Sequence, residues 1–497
     1  MSLLSFLGKI VASITAGRIR RWSECPVETQ NEVFQTLIQE AQDTAFGKDH
    51  RFAEIKTYED FKQRVPVRTY EDFVPYIDRI KQGELDVLWK GRPIYFCKTS
   101  GTTAGVKYIP ITKASISNHL NSARNALLMY IHGSGNADFL GGKLIFLSGS
   151  PTLDAVGAIP TGRLSGIVNH HVPGYLRRNQ LPSFTTNCID DWEEKVDAIV
   201  EETHQQDMRL ISGIPPWVQM YFDKLTLKTG EKAGALFPNF TLFVHGGVNF
   251  EPYRAKLEAA IGRSIHTLET YPSSEGFIAF QDTRDQAGLL LVLNEGIFYE
   301  FIPAAEYFNE KPTRLALQDV ELGINYAILL NTNAGLWGYS IGDTVKFVST
   351  NPYRIVVTGR IKHFISAFGE HVIVEEAEKA IQQAAAATNS EVVEFTVAPQ
   401  VNPESGLPYH EWLVEFAQAP NDSELFTKLL DEAMQKQNIY YRDLIQGNIL
   451  RTLVMTPLPA GAFIRYMKSQ GKLGGQNKVP HLSNHRELAE GLLAMIK

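Results

Sequence analysis

Apolar residues between positions 27 and 46 recur at helical spacing. Val33, Phe34, Leu37, Ile38 and Ala41 share one face, and Gly47 stands where a helix would stop. Upstream, Leu3 to Ala16 is apolar, interrupted by Lys9 and followed by Arg18, Arg20 and Arg21 with no small-residue cleavage site before them. That pattern predicts an amphipathic helix packed on the body, not a signal peptide. Residues 57–82 carry Tyr-Glu-Asp-Phe twice, at 58–61 and 70–73, each copy opening a short helix punctuated by Pro66 and Pro75. From about 94, short apolar strands (144–147, 242–244, 265–268, 297–302, 326–330) alternate with helices, which predicts an α/β body. After a strand at 353–358 and the Gly359-Arg360 turn the pattern restarts: helix 374–387, strands 391–398 and 410–417, helix 422–437. The expected organisation is a large multi-subdomain N-terminal α/β domain, 1–357, and a smaller C-terminal α+β domain, 358–497, with a short hinge near 358–362.

Bulk properties exclude several classes. A chain of 497 residues is too long for one core, and about two to four domains or subdomains are expected. Apolar residues at 44% and charged residues at 21% describe an ordinary globular chain, and a net charge of −7 gives no footprint for nucleic acid. Cys25, Cys97 and Cys188 are too sparse for a disulfide framework or a metal knuckle, which fits a reducing, cytoplasmic setting. No apolar run reaches the ~18 residues of a transmembrane helix, so no membrane partner is expected.

Five segments carry candidate chemistry. The first is Lys98-Thr99-Ser100-Gly101-Thr102-Thr103-Ala104-Gly105-Val106-Lys107, between two apolar strands. Its glycines let backbone N–H groups approach an anion, and its hydroxyls with Lys107 suit a polyphosphate. It is not a Walker A loop, because no Gly-Lys-Ser/Thr closes it, and a polar hairpin turn would look similar. The second is Thr270-Tyr271-Pro272-Ser273-Ser274-Glu275-Gly276, past a strand end where α/β proteins bind ligands. Its ring, hydroxyls and one carboxylate suit a base, a phosphate and Mg²⁺. Tyr339-Ser340-Ile341-Gly342-Asp343 places an Asp that can accept ribose hydroxyls, or simply a β-turn Asp. Gly359-Arg360-Ile361-Lys362 and Gly475-Gln476-Asn477-Lys478-Val479-Pro480 complete the set, each equally readable as a charged surface turn. His170-His171 has no ligand partner at metal spacing, and Gly133-Ser134-Gly135 lacks the third glycine of a dinucleotide fingerprint.

The order of the five segments is more specific than any one of them. It resembles the motif order of the adenylate-forming superfamily of acyl-CoA synthetases, luciferases and peptide-synthetase adenylation domains. Ala45-Phe46-Gly47-Lys48, Tyr70-Glu71-Asp72-Phe73-Val74-Pro75, Leu88-Trp89-Lys90-Gly91-Arg92-Pro93, Phe298-Tyr299-Glu300-Phe301-Ile302-Pro303 and Gln476-x-Lys478-x-Pro480 narrow it. Together they resemble the Gretchen Hagen family of auxin-responsive acyl-acid amido synthetases, in its bacterial form.

The resemblance implies ATP-dependent conversion of a carboxylic acid to an acyl-adenylate, then acyl transfer to the amine of an amino acid. Small molecules are the implied partners, and ATP and Mg²⁺ the implied cofactors. Ser100, Gly101, Thr102 and Thr103 would hold phosphates, with Lys107 as a supplementary charge. Gly246, Gly247 and Val248 would let adenine lie against the backbone, and Thr270, Tyr271 and Ser274 would complete that pocket. Glu275 would hold Mg²⁺, Asp343 the ribose, and Lys362 would sit at the hinge of a mobile C-terminal domain. Lys478 would balance charge where carboxylate, α-phosphate and leaving pyrophosphate meet, with Lys472 as its competitor. Transfer to a thiol such as coenzyme A, or nucleotide binding without catalysis, are the alternatives.

Overall fold

The computed structural model describes residues 3–99, 107–172, 174–189, 191–247, 250–361, 365, 367, 370, 372–401, 403–446, 450–472, 478–483 and 485–496. The expected site residues Ser100, Gly101, Thr102, Thr103, Val248 and Lys362 lie outside the described residues. The chain divides into two compact units. The first comprises Met1–Phe250, Arg254–Ile341 and Val345–Val356, and the second Glu251–Tyr253, Gly342–Thr344 and Val357–Lys497.

The first unit begins with helices α1 (Leu3–Glu24), α2 (Pro26–Ala41), α3 (Ala45–Asp49), α4 (Tyr58–Arg64) and α5 (Val74–Lys81). The helix expected over 27–46 is in fact two. α2 ends at Ala41, and Thr44 caps α3 by accepting from the Gly47 N–H at 3.0 Å. Gly47 is therefore no stop. It sits inside α3, and glycine is required there because a Cβ would lie 2.1 Å from the Ala41 carbonyl oxygen. The two Tyr-Glu-Asp-Phe copies do open helices: Thr57 and Asp60 form a capping box on α4, and Glu71–Phe73 is a 3₁₀ turn leading into α5.

The strands are, in chain order, β1 (Tyr95–Thr99), β2 (Lys107–Ile111), β3 (Lys143–Phe146), β4 (Asp154–Val156), β5 (Ile159–Gly162) and β6 (Gln180–Leu181). They continue with β7 (Met208–Ser212), β8 (Leu242–Gly246), β9 (His266–Pro272), β10 (Phe277–Phe280), β11 (Leu289–Leu291) and β12 (Ile297–Pro303). The last of this unit are β13 (Asn325–Thr332), β14 (Tyr339–Thr350) and β15 (Tyr353–Arg360). A large mixed sheet runs in the order β12-β13-β14-β15-β11-β10-β9-β8-β7-β3-β6, and a smaller one in the order β2-β1-β5-β4. β3, β7, β8 and β9 pair in parallel, while β9, β10 and β11 turn antiparallel. β12 and β13 read as continuous apolar runs because both are buried along nearly their whole length.

Buried polar groups tie the helices to these strands. Gln30 on α2 donates to the carbonyls of Leu293 (2.7 Å) and Ile297 (2.9 Å) and accepts from the Tyr299 N–H at 2.9 Å. Glu300 on β12 is completely buried. Its carboxylate accepts from the Arg314 guanidinium at 3.0 and 2.8 Å, from the Tyr58 hydroxyl at 2.8 Å and from the Asn331 amide at 2.9 Å. Burial pulls the Arg314 pKa down, but the Glu300 charge and its hydrogen bonds to Arg314, with a smaller contribution from Tyr58, together outweigh it and leave it raised.

The second unit carries β16 (Glu391–Gln400), β17 (Tyr409–Gln418) and β18 (Val454–Leu458) in one sheet. The expected helix-strand-strand-helix run is present, with helices Val374–Thr388 and Ser423–Gln437. The parallel third strand, β18, was not anticipated, because Val454-Met455-Thr456-Pro457-Leu458 has no clean alternation.

Removing Arg314 while leaving Glu300 strands a buried charge. Arg314→Met should destabilise the chain by about 3–5 kcal/mol, and Arg314→Met combined with Glu300→Leu by much less. Urea unfolding midpoints of the single and double variants check this.

Candidate active site

β1 and β2 form an antiparallel pair in which Thr99 is the register partner of Lys107. The residues that flank the hydroxyl-rich segment are thus held in register, while 100–106 lie outside the described residues. Lys107 lies with its ammonium 5.7 Å from the centre of the Tyr70 ring, and the Tyr70 hydroxyl accepts from the Tyr108 N–H at 2.8 Å.

The second motif is a tight turn between β9 and β10. Ser273 and Gly276 exchange backbone hydrogen bonds at 2.9 and 3.3 Å, which leaves Ser274 and Glu275 as the central residues. Asn118, buried on the helix Ile116–Ser134, brackets the turn by accepting from the Phe277 N–H (2.6 Å) and donating to the Phe277 carbonyl (3.2 Å). No sequence signal marks Asn118, because its partner is far away in the chain.

Three separate segments meet at this turn. Cys97 on β1 lies beside this turn, close enough for the Ser274 hydroxyl and the Glu275 charge to act on its thiol, which itself donates to the Lys98 carbonyl at 3.8 Å. Burial pushes the Cys97 thiol up to about 12; the Ser274 hydroxyl opposes this and the Glu275 charge adds to it. Such a thiol is not a nucleophile. From β14, the Tyr339 hydroxyl donates to Glu275 Oε1 at 3.4 Å, and burial together with the Glu275 charge holds that phenol well above its ordinary range. Cys97 and Tyr339 were not singled out from the sequence, although Tyr339 stands in the third motif.

β8 approaches the same strand end. Gly246 is the register partner of Thr270, and a Cβ on Gly246 would fall 2.2 Å from the Thr270 carbonyl oxygen, so only glycine fits. The Thr270 hydroxyl donates to the His245 carbonyl at 3.1 Å. Gly247 follows with φ of 82°. Tyr271 is only 7% exposed and belongs to the apolar core.

A second cluster lies within the second unit. Asp343 accepts from Arg360 Nε at 2.8 Å, and the Ile361 N–H donates to the Gly342 carbonyl at 2.6 Å. Lys478 feels both charges. The residue is exposed at its surface, yet protein atoms massed around it lower its pKa to about 8; Asp343 opposes the fall and Arg360 adds to it. The competitor Lys472 sits past the helix Ala462–Ser469, its N–H bonded to the Met467 carbonyl at 2.8 Å.

The chain just after Lys478 is pinned to β16. The Thr396 hydroxyl donates to the Pro480 carbonyl (2.7 Å), Val397 N–H to the His481 carbonyl (2.8 Å) and Ser483 N–H to the Val397 carbonyl (3.0 Å). His481 stacks on Phe395 and bonds two carboxylates, Glu378 through Nδ1 at 3.0 Å and Glu394 through Nε2 at 2.9 Å. Burial lowers the His481 pKa, but the Glu394 charge and the bonds to both glutamates outweigh it and raise the value to about 10. His481 escaped the sequence reading, because nothing local predicts two distant glutamates around it.

Comparison with known proteins places these observations. The family model described as GH3 family N-terminal domain matches residues 15–187, the GH3 family central domain 290–360 and the GH3 family C-terminal domain 375–487. Jasmonoyl--L-amino acid synthetase JAR4 of Nicotiana attenuata is 23% identical over 383 residues, covering 64% of this chain and 66% of that protein. Indole-3-acetic acid-amido synthetase GH3.15 of Arabidopsis thaliana is 35% identical over 122 residues, 24% of this chain and 20% of its own. Indole-3-acetic acid-amido synthetase GH3.3 of Arabidopsis thaliana is 22% identical over 93% of this chain and 90% of its own. The chain thus spans 66%, 60% and 20% of the first three curated relatives it matches. Among solved structures, the acyl acid amido synthetase AtGH3.15 in complex with 2,4-DB superposes with a TM-score of 0.81 at 16% identity, covering 97% of this chain and 96% of that one. A 2-hydroxyisobutyryl-CoA ligase in its postadenylation state reaches 0.63 at 12% identity, over 95% and 92% of the two chains. These likenesses establish the expected fold class, mixed α/β with a larger N-terminal and a smaller C-terminal part.

His481 gains its proton affinity on folding, so its contribution to stability is full below pH ~6.5 and is lost as pH rises towards 10. His481→Gln should therefore lower the melting temperature most at pH 6.5. The gap to the parent protein should close progressively by pH 10 in thermal melts across that window.

Proposed function

This chain belongs to the GH3 family, and from that premise we propose that it is an AMP-forming ligase joining a carboxylic acid to the amine of an amino acid. The observation that carries the reading is the meeting of Cys97, Ser274, Glu275 and Tyr339. It brings the base of the hydroxyl-rich hairpin, the Ser-Glu turn and the start of the Tyr-x-x-Gly-Asp strand to one point.

In the first half-reaction a carboxylate oxygen attacks the α-phosphorus of ATP, the bond to the bridging oxygen breaks and pyrophosphate leaves. In the second, the amine attacks the acyl carbon, AMP leaves and the nitrogen loses a proton. The attacking carboxylate is already ionised, so the first step requires positioning and charge balance but no nucleophilic side chain.

Ser100, Gly101, Thr102 and Thr103 are assigned to the phosphates, with Gly246, Gly247, Val248, Thr270, Tyr271 and Ser274 shaping the nucleotide pocket. Asp343 is assigned to the ribose and Lys362 to the hinge. Glu275 fits Mg²⁺, which takes one or two carboxylates and completes its shell with phosphate oxygens and water. Its one carboxylate, steadied by the Tyr339 hydroxyl, is a donor set of that kind. The ion would neutralise charge on the phosphates when bound. Lys478 is assigned as the cation facing the developing charge. With a pKa of about 8 it is roughly nine-tenths protonated at pH 7.

The names of the relatives suggest a panel of jasmonate-like, indole and aryl carboxylates, each tested with amino acids and with coenzyme A. Pyrophosphate release from ATP should require an acid, and an amide should form when an amino acid is present. A thioester with coenzyme A and no amide would overturn the amine half of the proposal. Lys478→Ala should cut acid-dependent pyrophosphate release by about 10²–10³-fold while ATP still binds by calorimetry. The parent kcat/KM should fall as pH rises through about 8, where Lys478 loses its charge. A Lys478→Ala protein with undiminished release would remove that residue from the mechanism.

A further inference from the structure

α1 packs against the first unit by a face of small residues. Ser5, Ala12, Ala16, Ile19 and Ser23 are buried, the Ser5 hydroxyl donates to the Ala137 carbonyl at 3.2 Å, and Gly8 lies against Leu140. At 3.6 residues per turn, Leu4, Phe6, Leu7, Ile10, Val11 and Ile14 occupy the opposite arc. These large side chains are 44–53% exposed. The helix is amphipathic, as its sequence predicts, but the bulky part of its apolar surface points outward. A contiguous apolar surface of this kind marks an interaction face.

Charge selects the partner. α1 carries Lys9, Arg18, Arg20 and Arg21 against one acidic residue, Glu24 at its last position, in a chain whose net charge is −7. Arg18 and Arg21 lie on the same outward arc as the apolar residues, and Lys9 and Arg20 flank it. Basic residues in a last helical turn also suit the helix dipole, but that does not account for six outward apolar side chains. A symmetric contact between two copies would set this face, with four basic residues against the single Glu24, against itself. An anionic lipid surface accepts both parts: the apolar arc enters the acyl boundary while the arginines stay at phosphate level.

We propose that α1 is an interfacial helix that lays this protein on an anionic membrane surface, with Leu4, Phe6, Leu7, Ile10, Val11 and Ile14 inserted and Arg18, Arg20 and Arg21 on the headgroups. This departs from the expectation of no membrane partner. It needs no spanning segment, and no helix among the described residues is long and apolar enough to cross a membrane.

The test is co-sedimentation of the full chain with vesicles of equal parts phosphatidylglycerol and phosphatidylcholine, against vesicles of phosphatidylcholine alone. The expected result is binding to the anionic vesicles that drops about tenfold on pure phosphatidylcholine and weakens in high salt. Ile10→Glu with Ile14→Glu changes only exposed positions and should lower binding by about tenfold or more, with an unchanged melting temperature. Arg18→Gln with Arg21→Gln should reduce binding without touching the apolar arc. Absence of sedimentation with anionic vesicles, or equal binding by parent and both variants, overturns the proposal. A parent dimer in analytical ultracentrifugation that the double glutamate variant dissolves would assign the face to a second copy and overturn it equally.

Discussion

A single carboxylate buried in an apolar strand constrains much of the first unit. Glu300 interrupts the run Phe298-Tyr299-Glu300-Phe301-Ile302 and is wholly removed from water. An ion in that setting is tolerable only with its charge matched and its lone pairs occupied. Arg314 supplies the charge, and Tyr58 and Asn331 supply further donors. Each partner belongs to a different segment, so satisfying Glu300 fixes the position of α4, the segment after β12, and β13 at once. The constraint also reaches the candidate site. Asn331 donates to Glu300 and accepts from the Gly338 N–H at 2.6 Å, and the next residue, Tyr339, holds Glu275. A polar network in the core thus sets where the first residue of the third motif can stand.

This network explains what could be read from the sequence and what could not. Elements with strong periodicity, such as α2, β12, β13 and the helices of the second unit, announce themselves because one face or both must be apolar. Their boundaries depend on details that periodicity does not carry, as the break between α2 and α3 at Thr44 illustrates. The buried amides Gln30, Asn118 and Asn331 fix how elements meet, yet each is locally just another polar residue in a helix or strand. α1 makes the same point differently. Its pattern gives amphipathicity, but which arc faces inward is decided by the small residues that let it approach the body.

The candidate site divides in the same way. The motifs were legible through their order, because each segment alone reads equally as an ordinary turn and only the five together are specific. Their geometry was not. Cys97 looked like one stray cysteine of three, and it is a buried β1 residue that lies beside the Ser274–Glu275 turn. His481 lies three positions beyond Lys478 and anchors that segment through Glu378 and Glu394, neither of which is near it in sequence. Long-range pairings of this kind leave no local trace, because only the fold makes them neighbours.

The charges around Lys478 suit a site that is to receive an anion. Arg360 is 48% exposed and its pair with Asp343 lies partly in water. Such pairs contribute about 0–1 kcal/mol. Under the proposed reading, ribose hydroxyls can therefore take over the Asp343 carboxylate at little cost in stability. Losing part of the Asp343 charge removes part of the compensation that sustains the charge on Lys478. An arriving phosphate restores it, because a nearby negative charge favours the protonated amine. Lys478, depressed to about 8 without ligand, would then be most firmly protonated when phosphate and carboxylate are both present, which is when a fixed positive charge stabilises the transition state most.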